Sequence, residues 1–298
     1  MQALAVANEA QWIGMTLTVA NRLLEHLSPS DIRLVADATG KPADAPASWI
    51  VAALAEPSVH DAVFSTTDAP FSLASPFLVF SVAVHGIARE LADATLTTEW
   101  LGPRNRLPVF DAPTMREFLA DADRRFYLSQ LLGSFTRVAG WTQWTQTSRG
   151  WQRNHFSDLD PVQLAQFATM VSDAERPGVW RRLGDLSLFL TGVFPDHTAK
   201  RPLSSVAEQR LRRITQLSSD AQGGDLPSAV SNLGAVGLFE MVGERAYRSA
   251  VMGVPRPLTQ SMRVVDDIAT RFRIARRVLN LVTERYLFPL RTEFFDVA

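Results

Sequence analysis

Apolar residues recur three or four positions apart along most of this chain, and that spacing lines one face of an α-helix. Several of these stretches follow helix-start signals, in which a proline takes the first helical position and often follows a serine or an acid that caps the helix. The signals are Ser28-Pro29, Ser75-Pro76, Asp160-Pro161 and Arg176-Pro177. Together they predict an all-α protein, a globular bundle of many helices.

One stretch departs from the helical pattern and predicts a small β-hairpin near 141–156, inserted between helices. The sequence WTQWTQTSRGWQRNHF, from Trp141 to Phe156, carries the β-favouring residues tryptophan and threonine. They lie on both sides of Ser148-Arg149-Gly150, a turn-forming triplet.

The C-terminal segment 261–287 is the most regular part of the pattern and predicts one long helix. Its apolar residues form a heptad stripe: Val265, Ile268, Phe272, Ala275, Leu279, Val282 and Tyr286. The stripe either packs on the rest of its own chain or joins two copies in a homodimer. The sequence leaves both interpretations open.

A chain of 298 residues is long enough for one large domain or two modest ones. The loop-forming stretch Thr95–Pro108 is the best candidate for a boundary. We expect a single helical domain over 1–298. The alternative is an N-terminal lobe over 1–100 and a C-terminal lobe over 101–298 that carries the hairpin.

Composition places the chain among folded globular proteins, with 46% hydrophobic and 20% charged residues. The formal net charge of −1 gives no overall attraction to nucleic acid or anionic membrane. The absence of cysteine excludes disulfides, thiolate metal sites and a cysteine nucleophile. The N-terminus lacks a signal-peptide pattern, and the longest apolar stretch, Phe77–Ala88, is shorter than the ~20 residues of a membrane span. We therefore expect a soluble, cytoplasmic protein.

Asp185 stands out because the stretch from Pro177 to Phe194 is otherwise rich in apolar residues, so we expect its carboxylate to be partly buried. A buried carboxylate needs a partner, since unpaired burial raises its pKa. Arg181 and Arg182 lie one helical turn earlier, within reach of it. The simplest interpretation is a structural ion pair.

A functional interpretation of Asp185 is also open. Glu240 and Glu244 lie one turn apart on a second helix, predicted over 229–252. Together with Asp185, from the helix predicted over 178–194, they could line a pocket in an enzyme or a small-ligand-binding protein. If the protein is an enzyme, these three carboxylates are the catalytic candidates. A solvated, charged helix face explains the two glutamates as simply.

The sequence contains none of the common catalytic or metal-binding motifs. Its histidines lie too far apart to form a metal-binding pair, and His-Glu-x-x-His, Gly-x-Ser-x-Gly and the phosphate-binding Gly-Lys-Ser/Thr loop are missing. No glutamate precedes a histidine by three residues, as di-iron helical bundles require. We predict no metal and no cofactor, and we interpret His85, inside an apolar run, as a core histidine.

The predicted hairpin carries the best candidate for a partner surface. From Arg124 to Ser157 the sequence has five arginines and no acidic residue, with tryptophans interleaved. Arginine and tryptophan suit an acidic protein partner, and over 137–156 they also suit the phosphates and unpaired bases of nucleic acid. Anchoring of the hairpin to the helices is the structural alternative. The candidate partner-binding residues are Arg137, Trp144, Arg149, Trp151 and Arg153.

Several strings resemble those of uncharacterised, mainly helical proteins from high-GC actinobacteria. They are SPFLVFSVAVH, RLPVFDAP, LLGSFTRVAG, RRLGDLSLFLTGVFP and RRVLNLVTERYLFPLR. The resemblance covers most of the chain from Ser75 onward. It implies a helical fold and brings no activity, cofactor or site residue.

The sequence as a whole favours binding over catalysis. The expected function is that of a scaffold, adaptor or regulator that binds a macromolecular partner, most simply a protein. The alternatives are nucleic-acid binding through the hairpin and a carboxylate-lined pocket. The segment 261–287 is the candidate for homodimerisation.

Overall fold

The computed structural model is described over residues 19–42, 46–64, 74–136, 140–147, 150–157, 159–217, 234–287 and 295. In the ranges 140–147 and 150–157 only the backbone is described. Helices dominate these ranges, and the strands form small antiparallel hairpins. The predicted class, all-α with a small inserted hairpin, is confirmed. None of the described helices is both long and apolar enough to cross a lipid bilayer.

The N-terminal elements run from α1 to α7. They are α1 (19–26), α2 (Pro29–Thr39), α3 (Ser48–Ala53), α4 (Pro57–Phe64), α5 (Pro76–Glu90), β1 (Thr97–Gly102), β2 (Asn105–Val109), α6 (Ala112–Ala120) and α7 (Ala122–Ser134). The C-terminal elements follow. They are β3 (Gly140–Thr147), β4 (Gly150–Ser157), α8 (Pro161–Met170), α9 (Arg176–Val193), α10 (Pro195–Lys200), α11 (Ser205–Ile214), α12 (Ala235–Met252), α13 (Gln260–Thr270), α14 (Phe272–Val282) and a π-helical turn (Thr283–Leu287).

The described residues form two compact units that are discontinuous in sequence. The first comprises those within Met1–Leu96, Phe110–Thr136 and Arg285–Leu290. The second comprises those within Thr97–Val109, Arg137–Glu284 and Arg291–Ala298. A compact unit is defined by internal contacts and need not fold alone, so the division into folding domains at residue 100 stays a prediction.

In the first unit, one buried carboxylate organises the beginnings of two helices. Ser28 caps α2 through the amide of Asp31, and Asp31 in turn accepts the Ser28 amide at 2.8 Å, which completes a capping box. The other oxygen of Asp31 accepts the amide of Ser75 at 2.8 Å, and Ser75 caps α5. The two predicted helix starts are therefore joined.

Helix α5 forms the centre of the first unit, because its residues from Phe77 to Ile87 are buried. It packs against α7, α4 and α6. His85 lies in this buried run, 4% exposed, with Nδ1 2.8 Å from the carbonyl oxygen of Ser81. The interpretation of His85 as a core histidine is confirmed. Burial, with a smaller effect of Arg125, lowers the pKa of His85 to about 3.

In the second unit, α9 packs along α12, and glycines allow the close approach. A Cβ at Gly184 would lie 2.4 Å from a ring carbon of Tyr247, and one at Gly243 would lie 2.3 Å from a ring carbon of Phe272. Such distances are too short for a real contact, so a side chain at either position would force the aromatic ring to move. Helix α9 also packs against α8 and α14.

The segment that we interpreted as a loop, Thr95–Pro108, forms the β1–β2 hairpin, so that interpretation was wrong. The register pairs Thr97 with Val109 and Glu99 with Leu107, with an irregularity near the turn. The threonines and tryptophan at 97–100 favour a strand, and the glycine and prolines that suggested a loop lie at the turn and in the second strand. The predicted hairpin forms β3 and β4, with Trp141 paired to Phe156.

The C-terminal segment 261–287 is not the single long helix that the heptad stripe predicted. The backbone leaves helical geometry at Arg271, with φ −118° and ψ 28°, which separates α13 from α14. The stripe residues Val265, Phe272 and Leu279 are at most 1% exposed within the chain itself. The stripe thus packs in its own chain, and homodimerisation through this segment stays a prediction.

Replacing Gly184 with alanine should lower the free energy of unfolding by about 1–3 kcal/mol, because the Tyr247 ring would have to move. A hydrogen bond from the Tyr247 hydroxyl to Asp185 holds that ring in place. Gly178, in the same helix, has open space around its Cβ position and is the matched control. Gly178→Ala should leave stability unchanged or raise it by up to ~1 kcal/mol. Urea unfolding of both variants measures the difference, and equal effects would contradict this packing.

The free energy of unfolding should fall with acid between pH 6.5 and about 3 because of His85. In that range the unfolded chain protonates this residue and the folded chain does not, which costs about 1.4 kcal/mol of stability per pH unit. His85→Gln should flatten the slope in urea titrations at several pH values. The exposed His26, replaced by glutamine, is the control. A slope that His85→Gln leaves unchanged would refute the assignment.

Candidate functional site

Asp185 lies on α9 with 8% exposure and has two structural partners. The hydroxyl of Tyr247 donates a hydrogen bond to its Oδ1 at 2.8 Å. Nε of Arg181 lies 3.8 Å from its Oδ2. The ion pair with Arg181, one of the two partners that the sequence suggested, is present, and the tyrosine on α12 was not foreseen. Both favour the structural interpretation of this acid.

Glu240 and Glu244 on α12 differ in environment. Glu240 is 4% exposed and forms an ion pair with Nε of Arg276. Glu244 is more exposed and has Nη2 of Arg248 3.7 Å from its carboxylate. Burial raises the pKa of both glutamates, and the neighbouring arginine opposes that shift in each case. Each of the three candidate carboxylates thus lies beside an arginine, while the pocket between their helices stays a prediction.

A buried charge cluster, which the sequence analysis missed, surrounds Glu99 on β1. Glu99 is 2% exposed, and its Oε1 lies 2.5 Å from Nη2 of Arg276. Its Oε2 lies 2.5 Å from Nε of Arg277, and Arg273 approaches to 3.4 Å. Arg276 bridges Glu99 and Glu240, so one cluster connects β1, α12 and α14.

Polar contacts extend this cluster to the end of α9. Nη2 of Arg277 donates to Oγ1 of Thr97 at 2.7 Å, and Nη1 of Arg276 donates to Oδ1 of Asn280 at 3.2 Å. Asn280 then donates through Nδ2 to the carbonyl oxygen of Gly192 at 2.7 Å. The last turn of α9 is therefore held by the same network that holds β1.

The sequence contained one signal for this cluster. Helix α14 reads FRIARRVLNLV, with three arginines among apolar residues and no acid. Its arginines cannot pair within the helix, so their partners must come from another element. The identity of the partner was hidden, because Glu99 belongs to the stretch that we interpreted as a loop.

Two further contacts fix the β1–β2 hairpin. The indole Nε1 of Trp100, a residue 2% exposed, donates to Oδ1 of Asp196 at 2.6 Å. Nε of Arg106 on β2 lies 2.5 Å from Oε1 of Glu284, in the π-helical turn. Both strands are thus connected to helices of the same unit.

A small cleft, open to solvent, lies where these contacts meet. Its wall includes the residues from Gly192 to Pro195. Burial, followed by the charge of Arg201, lowers the pKa of His197, so this ring is neutral at pH 7. The polar side chains that line the cleft are Arg106, Asp196, His197, Asn280, Thr283 and Glu284.

The structure describes the backbone of the predicted partner surface. The register of the β3–β4 hairpin pairs Trp144 with Arg153 and Gln146 with Trp151. Positions 144, 146, 151 and 153 therefore share one face of the hairpin, since alternate positions in paired strands share a face. The candidates Arg137 and Arg149 lie outside the described residues.

Two other arginines of the acid-free segment have structural roles in α7. Nη1 of Arg124 donates to the carbonyl oxygen of Phe118 at 3.0 Å. Nη1 of Arg125 donates to the carbonyl oxygen of Ala120 at 3.1 Å. Both satisfy carbonyl groups at the C-terminal end of α6. The other arginines of this segment are Arg137, Arg149 and Arg153.

Within the described ranges, no group of three or more histidine, aspartate or glutamate side chains is arranged to hold a metal ion. Comparison with protein-family models, with curated proteins and with solved structures gives no match to this chain. The functional argument therefore depends on the chain's own geometry.

Replacing Glu99 with glutamine should lower the free energy of unfolding by about 3–5 kcal/mol, because it removes the carboxylate that two buried arginines share. Glu208 is the matched control, since it pairs with Arg212 at 2.8 Å but is 38% exposed. Glu208→Gln should cost less than about 1 kcal/mol. Chemical unfolding of both variants gives the comparison. Similar losses would mean that the buried cluster does not dominate the stability of this unit.

Proposed function

We propose that the protein is a non-catalytic, cytoplasmic binding protein, a scaffold, adaptor or regulator. Its partner is an acidic segment of another protein, and its contact surface is the β3–β4 hairpin. The observation that carries this proposal is the hairpin itself. Arg153 is paired with Trp144 and lies two positions from Trp151 on β4, in a stretch of chain that has no acid. Tryptophan and arginine are the residues that most often dominate binding energy at protein interfaces.

The environment of the acids supports binding over catalysis. Asp185 is held by Tyr247 and Arg181, and Glu240 by Arg276, so their lone pairs serve the fold. A catalytic carboxylate must be free to exchange a proton or to contact a substrate. These acids are committed to partners inside the protein.

The topology of the hairpin also suits a partner. In the part of the chain that the structure describes, β3 pairs with β4 and with no other strand. The outer edge of β3 therefore keeps backbone donors and acceptors that a segment of another protein can pair with. The contact of β4 with α8 supports the opposite side of the hairpin.

An acidic protein segment fits this surface better than nucleic acid does. Proteins that bind nucleic acid through its backbone gain affinity from each phosphate that a lysine or arginine neutralises. Two of the five arginines in the acid-free segment are used at the end of α6, which leaves Arg137, Arg149 and Arg153. The formal net charge of −1 adds no general attraction.

The test uses the double variant Arg149→Ala/Arg153→Ala, with Arg263→Ala as control, since Arg263 is an exposed arginine on α13. Mass spectrometry compares the proteins that co-purify from the native cell with the wild type, with the double variant and with the control. Acidic peptides are then taken from the proteins that the double variant recovers in smaller amounts. These peptides are titrated against the purified wild type and variants. We expect the double variant to bind at least about tenfold more weakly, equivalent to about 1.4 kcal/mol, and the control to match the wild type.

Two results would contradict the proposal. One is a partner that binds the wild type and the double variant equally. The other is tight binding of a fluorescent single-stranded or duplex oligonucleotide with a steep dependence on salt, which would identify a nucleic-acid surface.

A further inference from the structure

Thr283 differs from several other helical threonines of this chain. Thr39, Thr191 and Thr215 each donate their hydroxyl to the carbonyl oxygen four residues earlier, at 2.7–2.8 Å. This is the usual way to satisfy a threonine hydroxyl within a helix. The Oγ1 of Thr283 is buried and has no hydrogen-bond partner among the residues that the structure describes.

The position of Thr283 explains why its hydroxyl has been left unsatisfied. It is 3% exposed and begins the π-helical turn Thr283–Leu287, where the regular α-helical ladder changes. Single π-helical turns occur frequently at functional sites. A buried hydroxyl without a partner destabilises the fold, and beside a cleft a molecule from outside the chain can supply the missing hydrogen bond. Thr283 lines the cleft next to the β1–β2 hairpin.

Other groups in this cleft have hydrogen-bonding capacity left after their structural contacts. Asp196 uses Oδ1 for the Trp100 indole, and Glu284 uses Oε1 for Arg106. Each carboxylate keeps a second oxygen as an acceptor. The ring of His197 is neutral at pH 7 and offers one donor and one acceptor.

The balance of these groups defines the class of ligand. Two carboxylates and one arginine give the lining a net negative charge, which disfavours an anion. The mixture of donors and acceptors suits hydroxyl groups, because each hydroxyl both donates and accepts. We propose that this cleft binds a small polyhydroxylated molecule, a monosaccharide or a related polyol, with one ligand hydroxyl on Thr283.

The ligand would supply the hydrogen bond that the Thr283 hydroxyl lacks within the fold. One of its hydroxyls bonds the Thr283 hydroxyl, and neighbouring hydroxyls donate to the free oxygens of Asp196 and Glu284. The site is separate from the β3–β4 hairpin of the proposed function, so either proposal can fail without the other.

The test is titration of the full chain with a panel of D-glucose, D-galactose, D-mannose, D-ribose and myo-inositol, followed by saturation-transfer NMR and calorimetry. Ethanolamine and inorganic phosphate serve as comparison probes for a cation site and an anion site. The variant is Thr283→Val, which keeps the shape of the side chain and removes the hydroxyl. We expect at least one polyol to bind the wild type and to bind Thr283→Val at least about tenfold more weakly.

Two controls separate binding from folding. Because the Thr283 hydroxyl has no partner in the described structure, Thr283→Val should unfold at the same urea concentration as the wild type or a higher one. Thr215→Val, which loses a bonded hydroxyl away from the cleft, should unfold earlier yet keep ligand affinity. Thr283→Ser restores a hydroxyl and should retain binding.

Three outcomes would overturn the proposal. The first is that none of the panel polyols binds the wild type. The second is that Thr283→Val binds them as tightly as the wild type does. The third is that ethanolamine or phosphate binds in the cleft more tightly than every polyol in the panel.

Discussion

Burial of the Glu99 carboxylate is the constraint on which the second unit depends. A carboxylate removed from water has a large desolvation cost unless cations neutralise it at short range. Arg276 and Arg277 do so from α14, and they are themselves too buried to tolerate the loss of Glu99. Strand β1 and helix α14 must therefore dock together or not at all. Through Asn280 the same arrangement fixes the last turn of α9, which forms a wall of the cleft.

Both charged contacts and steric packing hold the helices of this unit together. Along α9 and α12 the contact is steric, because Gly184 and Gly243 let aromatic rings lie directly on the backbone. Asp185 then fixes the ring at Gly184 by accepting the Tyr247 hydroxyl. An acid that the sequence offered as an alternative catalytic candidate thus stabilises a close helix contact. This use of the acids supports the binding role that we propose.

Local signals were readable in the sequence, and long-range pairings were not. The capping serine at Ser28 and the tryptophan-rich hairpin are properties of neighbouring residues, so the sequence predicted both. The break at Arg271 occurs without glycine or proline, and the heptad pattern continues across it. Glu99 and its arginines are about 175 residues apart, a pairing that only the fold can specify. The unsatisfied hydroxyl of Thr283 is likewise invisible until the π-helical turn is known.

Asp31 has a consequence for how the first unit opens. With one oxygen it closes the capping box of α2, and with the other it accepts the Ser75 amide at the start of α5, 44 residues away. Neither helix can fray at its beginning without releasing a hydrogen bond of the other. The starts of α2 and α5 therefore behave as a single foldon, and their amide protons become accessible to solvent exchange in the same opening event.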